Sequence, residues 1–249
     1  MADRNLVHGL HAVRSLLRQH PERVRQVWLQ IGRADDRAQD IAELARQAGV
    51  NLQRSEVRSL NALTGDAVHQ GVVADVAPAR AWNDGELLEF LQKLEAPPFL
   101  LLLDGVQDPH NLGACLRTAD ACGVHVVVIP RDRAVGLTPA VRKVAAGAAE
   151  TMPVAAVTNL ARTMRDLKEL NVWLVGTAAD GEQKASQAKL DGAIAIVMGG
   201  EGEGMRRLTR DTCDLVVCLP MVGSVESLNV SVATGMMLYE ALRQRSQGK

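Results

Sequence analysis

Three stretches of this 249-residue chain gather residue types that can do chemistry. The first is Asp104-Gly-Val-Gln-Asp-Pro-His-Asn-Leu-Gly-Ala-Cys-Leu-Arg117. It joins a side-chain amide, Asn111, to a cation, Arg117, with His110 as a candidate acid or base. Asn111 is placed to begin a helix. A spacing of six then turns Arg117 through about 240° after full turns, so the two share no face. Both point inward only if the helix start is bent or Asn111 is a cap. The plainer alternative is an N-cap Asn and a solvated or salt-bridged Arg.

The second stretch is Met198-Gly-Gly-Glu-Gly-Glu-Gly-Met205, with four glycines in six positions. Such density lets backbone approach a ligand closely. No Lys-Ser/Thr pair follows Gly204, and the spacing misses G-x-G-x-x-G, so this is neither a P-loop nor a dinucleotide fingerprint. Glu201 and Glu203 would repel phosphate and suit a cationic or hydroxyl-bearing ligand. A flexible turn is the plain reading. The third stretch is Leu219-Pro-Met-Val-Gly-Ser-Val-Glu-Ser-Leu-Asn-Val-Ser231, where Ser227 or Asn229 can cap a following helix. Arg206, Arg207 and Arg210 form a basic cluster, fit for phosphate or for a solvated helix face. His8 and His11, three apart on an expected helix, lack a third metal ligand, so no metal site is expected.

The elements that must position these groups alternate along the chain. Residues 98–249 read as strands at 99–103, 124–129, 154–157, 172–175, 194–198 and 215–219. Helices are expected at 111–122, 139–148, 160–170, 205–211 and 229–245. Continuous apolar strands between helices predict a parallel sheet covered on both faces. Residues 1–76 read as a small α/β domain: helices at 10–19, 36–48 and 55–62, strands at 24–31, 50–53 and 69–76. Residues 77–97, with Pro78 and Pro97 and with Pro98 just beyond, read as a linker holding one short helix at 85–94.

Composition narrows the function. The six aromatics make up 2% of the chain and lie scattered in sequence, which argues against recognition by clustered base-stacking rings. A net charge of −1 excludes polybasic nucleic-acid binding but not a local basic patch. Residues 1–76 hold ten arginines and no lysine. No apolar run is long enough to span a membrane and no signal peptide is visible, so a cytoplasmic protein is expected. Cys115, Cys122, Cys213 and Cys218 form no C-x-x-C pair and read as buried free thiols. No G-x-S-x-G elbow appears.

Asn111-Leu-Gly-Ala-Cys-Leu-Arg117, Gly199-Gly-Glu-Gly-Glu-Gly204, and Leu219-Pro-Met221 through Ser227-Leu-Asn229-Val-Ser231 occur in the order of the three motifs of the SpoU/TrmH family of RNA 2′-O-methyltransferases. The chain resembles that family over the whole last segment. Val7-His-Gly-Leu-His-Ala-Val13 and His69-Gln-Gly-Val-Val-Ala74 resemble the small L30e-like RNA-binding domain that some members carry. Gly200 stands where relatives often have Ala, a difference expected to be without consequence.

The resemblance implies a SPOUT-type parallel sheet with a C-terminal trefoil knot, against the general rule that chains are unknotted. It implies S-adenosylmethionine as methyl donor, held near Thr177, Gly199, Leu219 and Leu228. Its catalytic positions fall on Asn111, Arg117, Glu201, Ser227 and Asn229, with Glu201 orienting Arg117 or a ribose hydroxyl. It implies a homodimer with the site completed near the subunit interface, acting on a guanosine 2′-hydroxyl of large-subunit (23S) rRNA. A tRNA 2′-O-methyltransferase remains open, as does an RNA-binding ribosome assembly factor without catalysis. A nicotinamide-dependent oxidoreductase would need its glycine fingerprint after the first strand, not late in the domain.

Overall fold

The computed structural model describes residues 4–247. Residues 1–3 and 248–249, at the ends of the 1–76 and 98–249 segments, lie outside the described residues. The chain forms two compact units. One takes in the chain up to Ala79 together with Ala146–Thr151; the other takes Arg80–Ala145 and the chain from Met152 onward.

The first unit runs β1 (Leu6–His8), α1 (Leu10–Gln19), β2 (Val24–Gln30), α2 (Asp36–Gln47), β3 (Asn51–Ser55), α3 (Val57–Thr64) and β4 (Val72–Val76). Its sheet order is β1-β4-β2-β3, with only the β2–β3 pair parallel. Alternation divides each strand between two faces. Val27, Leu29, Val72 and Ala74 pack with Val13, Leu16 and Ile41 of α1 and α2. Trp28 and Val73, one residue out of phase, pack with Leu60 of α3. His8 ends β1 while His11 lies in α1, so the two do not share a helix face as expected.

The second unit begins with α4 (Asp84–Lys93), β5 (Phe99–Asp104), α5 (Pro109–Ala121), β6 (Val126–Pro130) and α6 (Pro139–Ala145). The next helix, α7 (Ala148–Thr151), belongs to the first unit. The single helix expected over 139–148 therefore breaks. Ala146 (φ +52°) and Gly147 (φ +96°) turn the chain, and a Cβ on Gly147 would come within 2.8 Å of the Ala12 side chain. After α7 come β7 (Val154–Val157), α8 (Leu160–Glu169), β8 (Trp173–Thr177), β9 (Gln183–Lys184), β10 (Ile194–Gly199), α9 (Arg207–Thr212), β11 (Leu215–Cys218) and α10 (Val230–Gln247).

These strands form one seven-stranded sheet in the order β7-β6-β5-β10-β8-β11-β9, parallel throughout. On one face Leu100, Leu102, Val126 and Val128 pack with Leu87 and Leu91 of α4 and with Leu160, Met164 and Leu167 of α8. The segment expected to be a linker is thus part of this unit from Arg80 on. Its Asn83 closes a capping box with Glu86. Trp82 lies 5.2 Å from Phe90, so these two aromatics are neighbours although separated in sequence. α5 and α10 pack together, with the Cys115 thiol donating to Thr234 Oγ1 at 3.6 Å.

Candidate active site

The loops after β8, β10 and β11 and the start of α10 enclose a cavity of about 500 Å³. This is the carboxyl edge of a parallel sheet, where such folds bind ligands. Thr177, Gly199, Leu219 and Leu228 all line it, as do Glu201, Ser227 and Asn229. Met205, Asp180 and Arg210 line it as well, and sequence reading gave them no role there.

The glycine loop closes tightly on itself. Gly200 pairs with Gly204 as an isolated antiparallel bridge, and Gly202 and Gly204 have positive φ. A Cβ on Gly199 would fall 2.1 Å from the Gly204 carbonyl carbon. A Cβ on Gly200 would fall 2.6 Å from the Gly105 carbonyl oxygen. An Ala at position 200 would therefore require this backbone to shift. The loop's far end is anchored by Asp104, a fully buried carboxylate at the end of β5. It accepts the Arg206 backbone N–H at 2.9 Å and the Arg206 Nε at 2.7 Å.

The three sequence stretches meet through side chains. Asn111 is 7% exposed, and its Nδ2 donates to Glu201 Oε1 at 2.7 Å. Asn229 Nδ2 donates to Asn111 Oδ1 at 3.0 Å. Asn229 Oδ1 in turn accepts the Ser231 N–H at 2.9 Å and its hydroxyl at 2.6 Å. A carboxylate only accepts, so the orientation of the Asn111 amide is fixed from one end of this relay. Gln107 N also donates to Glu201 Oε2, at 3.4 Å.

Several details differ from the sequence reading. Asp108, not Asn111, caps α5, its side chain accepting the His110 N–H; Asn111 is the third residue of the helix. Arg117 is exposed on α5, and its side chain makes no hydrogen bond or ion pair among the described residues. Within one chain Glu201 therefore meets Asn111, with no contact to Arg117 among the described residues. The basic cluster is largely neutralised: Arg206 pairs with Asp104, Arg210 with Asp180 at 2.8 Å, and Arg207 reaches Asp211 at 3.6 Å. Burial pushes the Cys115 thiol up to about 11, which makes it a poor nucleophile.

Residues 98–239 match the SpoU rRNA Methylase family, and residues 6–82 match the RNA 2′-O ribose methyltransferase substrate-binding family. The chain belongs to the SpoU rRNA methylase family. A relative in Pseudomonas syringae pv. tomato, named 23S rRNA (guanosine-2′-O-)-methyltransferase RlmB, is 55% identical over 246 residues, 99% of this chain and 98% of its own. The Escherichia coli K12 protein of the same name is 51% identical over 97% of this chain and 99% of its own. The SpoU methyltransferase AviRb from Streptomyces viridochromogenes, solved in complex with AdoMet, superposes with a TM-score of 0.73. It is 24% identical over 99% of this chain and 96% of its own, a likeness of fold. The SpoU match spans β5 to α10 and so contains the whole cavity and the Glu201–Asn111–Asn229 relay.

Proposed function

We propose that this protein transfers a methyl group from S-adenosylmethionine to the ribose 2′-hydroxyl of a guanosine in 23S rRNA. The observation that carries the reading is the relay joining Glu201, Asn111 and Asn229 at the rim of a glycine-walled cavity, in a chain 55% identical to a protein named for that reaction. When bound, S-adenosylmethionine supplies a methyl group activated by a sulfonium.

The residues present fit that group. Thr177 Oγ1 is buried on the cavity wall and has no hydrogen-bond partner among the described residues, a donor and acceptor free to meet a ligand. Gly199, without a Cβ, lets the Gly204–Met205 backbone close against it and shape the cavity wall. Glu201 and Glu203 suit a cationic ligand with hydroxyl groups. In this reading Thr177, Gly199, Leu219 and Leu228 hold the cofactor, within loops threaded as a trefoil knot.

The chain's own groups then orient the nucleophile. A ribose hydroxyl is a weak nucleophile and needs a proton acceptor or tight positioning. The acidic relay fixes Asn111 and Asn229 beside Ser227, which positions the ribose. Arg117 holds the hydroxyl and its neighbouring phosphate through its guanidinium N–H donors. Positioning of this kind contributes on the order of 7–11 kcal/mol in favourable cases.

Arg117 is exposed and does not line the cavity of its own chain, which supports a homodimer in which it serves the partner's site. Val232, Met236 and Tyr239 form an exposed apolar stripe at helical spacing on α10, the helix that packs against α5. Such stripes mark association surfaces. No helix among the described residues is long and apolar enough to cross a membrane, and the reading assigns the protein to the cytoplasm. Labelled-methyl transfer to 23S rRNA transcripts and to tRNA, compared side by side, tests the substrate. Incorporation into 23S rRNA alone is expected; incorporation into tRNA alone overturns the choice of substrate.

A further inference from the structure

A second cavity, of about 370 Å³, opens at the carboxyl ends of β6 and β7. It belongs to the same sheet edge as the first, and Arg206 separates them: its backbone N–H anchors the glycine loop while its half-exposed side chain lines the second cavity. Three kinds of group converge there. Arg133 is a cation with no ion pair among the described residues, held at φ +59°. The start of α8 presents the Leu160 and Ala161 N–H groups, because the Asn159 cap takes only the Arg162 N–H. Thr209 is 2% exposed, and its hydroxyl makes no hydrogen bond among the described residues although it lines the cavity. The single carboxylate on the wall is Asp132.

Free N–H groups at a helix start, an unpaired guanidinium and a buried hydroxyl donor form a recognition set for an anion. Leu208 is 57% exposed on the same wall and offers an apolar surface beside it. We propose that this cavity is a phosphate subsite for the RNA strand that carries the target ribose, holding a phosphodiester next to the methylated nucleotide. The proposal rests on the reading of the protein as an RNA methyltransferase. It assigns the catalytic unit its own grip on the strand, apart from any contact made by the first unit.

The test is a salt titration of binding between the full-length protein and a 23S rRNA transcript. Arg133→Ala is expected to weaken binding about 3- to 10-fold and to reduce the slope of log K against log salt by about 0.7–0.9, one phosphate contact. Arg133→Lys restores the slope. S-adenosylmethionine affinity, read by calorimetry, stays unchanged in both. An unchanged slope in Arg133→Ala overturns the proposal. So does an equal loss from Arg165→Ala, which would mean diffuse surface charge. Inorganic phosphate and guanosine monophosphate are titrated separately. Micromolar saturation by either, lost in Arg133→Ala while RNA binding is intact, overturns it in favour of a small ligand. A wild-type protein that binds RNA through Arg133 but transfers no methyl group contradicts the activity and supports the subsite. A wild type that methylates, with Arg133→Ala unchanged in slope, contradicts the subsite alone.

Discussion

The Glu201 carboxylate accepts the side-chain amide of Asn111 at 2.7 Å, across 90 residues of sequence. This contact binds the glycine loop to α5, and Asn229 extends it to the start of α10. Glu201→Ala and Asn111→Ala are each expected to lower methyl transfer by roughly 10²-fold, the scale for loss of one preorganised polar group. The double variant should lose little more than either single one, because residues in one network are strongly coupled. Steady-state kinetics on the three variants check this; fully multiplicative losses contradict a shared role.

Arg117→Ala should abolish methyl transfer while S-adenosylmethionine affinity stays within a few-fold. Its exposed position on α5 adds a sharper expectation. Mixing inactive Arg117→Ala and Glu201→Ala chains should restore about a quarter of wild-type activity, since half the dimers are mixed and each has one intact site. No recovery on mixing, with subunit exchange verified, places Arg117 in the site of its own chain.

Gly199→Ala should weaken S-adenosylmethionine binding at least 10-fold in calorimetry, because the added Cβ would fall 2.1 Å from the loop's own backbone. Gly200→Ala should have a smaller effect in the same direction, as the loop moves off the Gly105 carbonyl. Wild-type affinity in Gly199→Ala would show that the loop does not form the cofactor wall.

His69 gives the first unit a pH dependence. Its Nε2 lies 2.7 Å from Asn61 Oδ1 and its Nδ1 accepts the Gly71 N–H at 3.0 Å, so the neutral ring satisfies both neighbours. Burial first, and then the nearby His8, lower its pKa below the usual 6.5. The neutral form is favoured in the folded state. Its contribution to stability is fully present above about pH 6.5 and is lost as pH falls through the folded value. Proton NMR should show the His69 ring titrating below 6.5, with the first unit losing stability on acidification. A His69 pKa at or above 6.5 contradicts this.

Arg23 and Glu150 tie α7 into the first unit. Glu150 is 3% exposed, and Arg23 donates to its carboxylate and, at 2.7 Å, to its backbone carbonyl. Arg23→Ala removes the guanidinium from a buried carboxylate and should cost about 3 kcal/mol in denaturant unfolding. A cost under ~0.5 kcal/mol would mean that the pair is dispensable. The same tie predicts how a truncation behaves. Deleting residues 1–76 should weaken RNA binding and spare cofactor binding, but the product will carry an exposed α7 that lost its partners.

Much of the catalytic unit was legible because its strands are unbroken apolar runs: Phe99–Leu103, Val126–Ile129 and Ile194–Met198 admit few other readings. Strands β1 and β9, three and two residues long, are too short to carry a period. The break at Ala146–Gly147 was hidden because the apolar spacing continues across it, and only the close approach of Ala12 requires the turn. The three site stretches stood out by glycine density and by polar residues at strand ends. Their joining was not legible, since spacing says nothing about which side chain Glu201 meets. Asp104 was invisible as an anchor because a lone Asp at a strand end carries no signal until Arg206, 102 residues on, is folded against it.

The central claim is the identity of the modified atom, and it is read most directly from RNA. 2′-O-methylation is mapped across 23S rRNA from cells with and without the gene, and the purified protein with S-adenosylmethionine is then added to the unmodified RNA. The account predicts one guanosine whose 2′-O-methyl mark disappears with the gene and returns with the protein. An unchanged 23S rRNA map, or a returning methyl group on a base nitrogen or carbon, would contradict it.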